Sequence, residues 1–157
     1  MRRWLYHRFP NRADFEQRYR YRSDLAHFLR VMASLNKKFG LFEVELPKGG
    51  VGKAKREFSI GIAERGIDFT PLLQEKVESI AENLKGDGVI DFKLDLKYSY
   101  LASEYLGIPF KGDTFLLRAS LEGDVLTLIV NHIDGPGKTT STQVANTIVE
   151  EIRLSHE

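Results

Sequence analysis

From Ile90 to Tyr100 the chain alternates without a break, with Ile90, Phe92, Leu94, Leu96, Tyr98 and Tyr100 on one phase and Asp91, Lys93, Asp95 and Lys97 on the other. A period of two sends successive side chains to opposite faces, so the run reads as a strand with one core face and one wet face. A sheet that is wet on one side is built by antiparallel pairing, and this fixes the kind of fold the rest of the chain must complete. At 157 residues and 42% hydrophobic, the chain can bury one core as a single domain without disulfides or metal staples.

Other strand signals agree with an antiparallel sheet. Leu41 to Leu46 and Phe58 to Ile62 alternate and flank Pro47 to Arg56, a hairpin with a long, glycine-rich, basic tip. Thr114 to Leu121 and Val125 to Ile133, joined by Glu122-Gly123-Asp124, form a second hairpin. Three helices are expected. In the first, Asn11 is a cap and Leu25, Phe28, Leu29, Met32 and Phe39 recur at helical spacing before Gly40. The second starts at Thr70-Pro71, with Leu73, Val77, Ile80 and Leu84 following at helical steps. The third runs from about Thr140 to Leu154. The order α-β-β-α-β-β-β-α predicts a two-layer α+β fold, with helices on one face of a mainly antiparallel sheet of about five strands. That order resembles the small secretion-chaperone folds, α+β homodimers that bind client segments, and the resemblance rests on topology alone.

Charge divides the chain unevenly. Residues 1–40 carry ten Lys/Arg against three Asp/Glu, a net of +7, and residues 41–157 carry thirteen against nineteen, a net of −6. We therefore separate residues 1–22, a basic aromatic arm or the start of the first helix, from a single α+β domain at 23–157. In the arm Arg2, Arg3, Arg8, Arg18, Arg20 and Arg22 are interleaved with Trp4, Tyr6, Phe9, Tyr19 and Tyr21. Trp, Tyr and Arg are the residue types enriched where interfaces are anchored, so the arm is expected to contact a partner protein or a symmetry mate, giving a homo-oligomer. Arg with aromatic rings also suits nucleic acid, the alternative partner, with help from Lys48, Lys53, Lys55 and Arg56 at the hairpin tip. An anionic membrane surface is the less favoured occupant. "RYRYR" at 18–22 is ambiguous: extended, it puts the arginines and tyrosines on opposite faces, and as a helix it distributes them around the axis.

The segment His132-Ile133-Asp134-Gly135-Pro136-Gly137-Lys138-Thr139-Thr140 looks like the end of a phosphate-gripping loop. The G-x-x-x-x-G-K-[ST] pattern needs glycine where His132 stands, Pro136 removes one backbone donor, and the chain given ends within about twenty residues without the later strand that carries a metal-binding carboxylate. The segment reads as a strand-to-helix turn, at which Gly137, Lys138 and Thr139 could hold a simple anion. His132, Asp134 and Lys138 are the candidates for an enzymatic site, with His132 and Asp134 on one face of an extended strand. His132-x-Asp134-Gly135 is similar over four residues to the H-x-x-x-D-G signature of acyltransferases of the chloramphenicol acetyltransferase and condensation-domain type, but its spacing departs from theirs.

With no Cys there is no disulfide or thiolate chemistry, which mildly favours a cytoplasmic address, and no stretch has the length of a membrane span. His7, His27 and His156 show no metal-ligand spacing. No metal, cofactor or small-molecule substrate is expected. The leading expectation is a non-enzymatic binding or assembly protein.

Overall fold

The computed structural model describes residues 4–84 and 88–156; Arg2 and Arg3 lie outside the described residues. The elements are β1 (Phe15–Arg20), α1 (Leu25–Ser34), β2 (Phe39–Glu45), β3 (Val51–Glu64), β4 (Asp68–Pro71), α2 (Val77–Asn83), β5 (Val89–Tyr100), β6 (Pro109–Glu122), β7 (Val125–Asp134) and α3 (Ser141–Ser155). All strands join one antiparallel sheet in the order β1-β7-β6-β5-β3-β2, with β4 paired to β3. The sheet curls into a half-barrel, and strand outweighs helix at 45% against 23%. No helix of the described residues is long and apolar enough to cross a membrane.

This corrects the expected two-layer sheet of about five strands and the α-β-β-α-β-β-β-α order. Residues 15–20 become an edge strand because β7 offers them a ladder: Phe15, Gln17 and Tyr19 stand opposite Val130, Leu128 and Leu126 on the core-facing phase. The first helix starts only at Leu25, where the side chain of Asp24 caps the His27 amide at 2.9 Å. Pro71 ends β4 opposite Gly61, and a proline is tolerated there because β4 is a short edge strand. A single 3₁₀ turn at Gln74–Lys76 then leads into α2. With the order goes the topological basis of the resemblance to secretion chaperones.

Bulges give the curvature. The β5–β6 register slips between Leu96 and Tyr98, and the β6–β7 register slips between Thr114 and Phe115. Such slips kink the strand and increase its twist. Gly112 sits at the first slip, where a Cβ would lie 2.0 Å from the Leu96 carbonyl oxygen, so only glycine fits. The hollow holds the core: Phe92, Leu94, Phe115, Leu117, Leu128 and Val130 of the sheet meet Phe28, Leu29 and Met32 of α1 and Val144, Ala145 and Ile148 of α3.

The convex face is crossed by the N-terminal segment. Asp91 lies beyond the last β3–β5 partner pair, Ile62 with Phe92, and its amide donates to the Trp4 carbonyl at 2.7 Å. Further along, the Tyr6 amide donates to Asp91 Oδ2 at 2.6 Å and the His7 amide to the Gly66 carbonyl at 2.9 Å. The segment reaches β7 where Asn131 Nδ2 donates to the Arg12 carbonyl and the Asp14 amide donates to Asn131 Oδ1. Trp4 is 2% exposed and belongs to the core. Its truncation to alanine (Trp4→Ala) should cost about 3–5 kcal/mol in urea unfolding, the range for a buried Trp or Phe. A loss under about 1 kcal/mol would contradict the burial of this segment.

Candidate functional site

Two places concentrate polar chemistry. One is a carboxylate cluster at the end of β6, and the other is the N-terminal segment with β1.

Asp113 follows Gly112 and is 1% exposed. It shares the core-facing phase of Phe115, Leu117 and Ala119, and its carboxylate therefore points inward. It accepts from Tyr98 Oη at 2.5 Å, His132 Nε2 at 2.8 Å, the Gly137 amide at 2.7 Å and the Thr139 amide at 3.3 Å. Burial alone would raise its pKa. The bonds from Tyr98, Gly137, His132 and Thr139 outweigh that and hold it below the ordinary carboxylate range. Tyr98 spends its proton on Asp113, and burial with that neighbour pushes its own pKa up. Thr139 Oγ1 lies 2.8 Å from Tyr98 Oη and accepts from Arg56 Nη1 at 2.8 Å, while the Arg56 guanidinium lies over the Phe42 ring. The donor chain runs from Arg56 through Thr139 and Tyr98 to Asp113.

This explains the GPGK segment. Its amides grip an anion, and the anion is the protein's own carboxylate. Gly135, at φ +106°, crosses so close that a Cβ would lie 2.3 Å from the Gly112 carbonyl oxygen and 2.8 Å from the Asp113 Cα. Helix α3 then starts close to where it is expected, and a capping box between Thr140 and Gln143 closes its first turn. The slip at Ile133 takes His132 and Asp134 out of simple alternation. His132 pairs with Asp113, and Asp134 lies 3.6 Å from Lys111 Nζ, so the shared face expected for His132 and Asp134 does not bring them together. The ring of His132 is 29% exposed, whereas the hydroxyls of Tyr98 and Thr139 are buried. The cluster thus holds β5, β6, β7 and the approach to α3 together and turns no nucleophilic hydroxyl to solvent. An open groove of about 520 Å³ reaches the cluster itself: Tyr98 and Asp113 line it together with Asp95, Lys97, Lys111 and Asp134, charges of both signs. Among the described residues no three His, Asp or Glu side chains converge as metal ligands.

The arm divides its chemistry. Its rings turn inward: Trp4 and Tyr21 are buried, Tyr6 packs on Phe69 at 4.8 Å, Phe9 lies 4.3 Å under the Arg118 guanidinium, and Tyr19 is half-buried against the core. Arg8, Arg18, Arg20 and Arg22 stay exposed. The arm covers an ion pair that alternation placed on the wet face. Arg118 Nε and Nη2 donate to Asp91 Oδ1 and Oδ2 at 2.7 and 2.8 Å, and Asp91 is 0% exposed. Burial pushes Asp91 up, while the Arg118 bonds and the Tyr6 amide pull it down.

Residue 21 also ties the arm to the helices. Tyr21 Oη bonds His27 Nδ1, and His27 Nε2 lies 3.1 Å from Ser155 Oγ. Burial first, then His156 and Arg30, hold His27 below the ordinary histidine value. The expected basic tip separates as well. Lys48 is in the exposed turn, Lys53 and Lys55 face Glu43 and Leu41 across the β2–β3 ladder, and Arg56 points into the hollow. Lys138 is exposed beside the Asp113 cluster.

Asp113 and Tyr98 went unpredicted as a site, although the phase of Asp113 with Phe115 and Leu117 is a legible signal of a buried carboxylate. No family model matches the chain, and no curated protein matches it.

Asp113→Asn keeps the shape and removes the charge, and should cost roughly 2–3 kcal/mol at neutral pH, as for hydrogen bonds to a charged group. Because the folded carboxyl titrates below its ordinary 3.8, the contribution is present above that value and is lost as pH falls through the lower folded one. Unfolding of the two proteins across an acid series should show the gap closing. A gap that is constant with pH would contradict a charged Asp113.

Proposed function

We propose that the chain is a non-enzymatic binding and assembly protein that takes an extended strand, from a protein partner or a symmetry mate, along the open edge of β1. The observation that carries this reading is the direction of the β1 peptide groups. The Tyr21 amide donates to the Asp124 carbonyl at 2.7 Å, so period two turns the odd-numbered peptides toward β7 and those of Glu16, Arg18 and Arg20 away from it. Among the described residues β1 ends the sheet. Unpaired strand edges are the usual seat of strand addition, with main-chain bonds giving affinity and alternate side chains giving selectivity. Here the selecting side chains on the convex face are Glu16, Arg18 and Arg20, with Arg22 beyond them.

Nucleic acid is supported less well, because Trp4 and Tyr21 are buried and offer no stacking surface beside the arginines. An enzymatic site at His132 and Asp134 is supported less well too, since the histidine is committed to Asp113.

Proline at position 18 removes an outward amide and leaves the β7 ladder intact. In dilute protein, a labelled strand-forming peptide of alternating Thr and Glu should bind the wild type and lose at least about tenfold in affinity with Arg18→Pro, by fluorescence anisotropy. Thermal unfolding should change little. Equal binding to both proteins, or binding to neither accompanied by no self-association, would sink the reading.

A further inference from the structure

We propose that the strand taken up by β1 is the β1 of a second copy of this chain, paired antiparallel about Gln17, so that two half-barrels share one continuous sheet. The inference rests on the reading of β1 as a docking edge and goes further by fixing the occupant and the register.

The geometry leaves few registers. Only Glu16, Arg18 and Arg20 turn their peptide groups outward, so in an antiparallel pair even-numbered residues must face even-numbered residues. Centring the pair on residue 18 puts Arg18 against itself at the axis, and it offers Glu16 only Arg20, which already lies 3.4 Å from Asp124 at home. Centring it on residue 19 puts Arg18 against Arg20, and centring it on residue 16 puts Glu16 against itself. Each of these opposes like charges, which is destabilising across strands. Centring on Gln17 puts Glu16 of each copy opposite Arg18 of the other, twice by symmetry.

The same register serves the other face. Phe15 of one copy stands opposite Tyr19 of the other, and both rings are half-buried at the rim of the core. Aromatic pairs directly across strands are among the favourable ones. Asp14 and Arg20 also come opposite, but they are partly committed at home: Asp14 Oδ2 accepts from the His132 amide at 2.8 Å, and Arg20 Nε is 3.4 Å from Asp124. The Glu16 and Arg18 pairs therefore set the register. A two-fold axis through Gln17 makes the contact closed, so the assembly stops at two chains.

Sedimentation velocity over a concentration series tests this with variants on the exposed convex face. Wild type should form a reversible dimer. Glu16→Arg alone and Arg18→Glu alone each oppose like charges twice and should weaken it by at least about tenfold. An equimolar mixture of these two variants should associate again, as a heterodimer, and the double variant Glu16→Arg/Arg18→Glu should dimerise with itself. Failure of the mixture to associate, or a dimer indifferent to both single changes, would overturn the register. A wild type monomeric at every concentration that still binds the Thr–Glu peptide would overturn self-pairing and leave the docking edge standing. A monomer that binds no strand at all would overturn both.

Discussion

A carboxylate shut away from water must receive its partners from the chain, and at Asp91 they come from two directions. Arg118 supplies a bidentate pair from the neighbouring strand, and the N-terminal segment supplies the Tyr6 amide. Removing one partner of a buried pair leaves an uncompensated charge, a loss of several kcal/mol, so the segment is held to the convex face by more than its apolar contacts. Phe9 closes over Arg118, Trp4 enters the core, and Asn131 fixes the far end against β7. Once residue 14 is placed there, β1 has no choice but to run along β7. The rings of the arm face the protein and its arginines face outward for that reason.

Asp113 repeats the solution at the other end of the sheet. The two sites differ in what satisfies them. Asp91 is neutralised by a guanidinium, whereas Asp113 is surrounded by neutral donors, two of them backbone amides, with His132 beside them. Backbone donors do not rotate away, so the loop from Gly135 to Thr139 is fixed as firmly as the carboxylate it binds. Both sites hold elements together. The binding surface proposed above is the β1 edge that these anchors leave open.

Much of the sheet was legible because period two is a local signal. The β5 alternation, the β6–β7 hairpin and the Thr140 start of α3 follow from the residues themselves, whereas the long tip expected at 47–56 shortens to a turn because Val51 to Arg56 pair with β2. The "RYRYR" run was not legible, since nothing within it chooses strand over helix and the choice is made by β7, more than a hundred residues later. Thr70-Pro71 misled for a related reason: a proline suits an edge strand end as well as a first helical turn. Asp91 misled because its phase is that of the wet face, and no local pattern announces that residues 4–9 will cover it. Asp113 was the missed opportunity, as its phase with Phe115 and Leu117 already placed it inward.

The proposed docking edge requires residues 15–21 to be paired on one side and open on the other, and residue-resolved amide hydrogen exchange reads both sides at once. In dilute protein Gln17, Tyr19 and Tyr21 should be protected, with Glu16, Arg18 and Arg20 exchanging fast and slowing as concentration rises. Uniformly fast exchange from residue 15 to residue 21 would mean that the arm is not docked on β7. Uniform protection in dilute protein would mean that the edge is already covered, and either result would contradict the account.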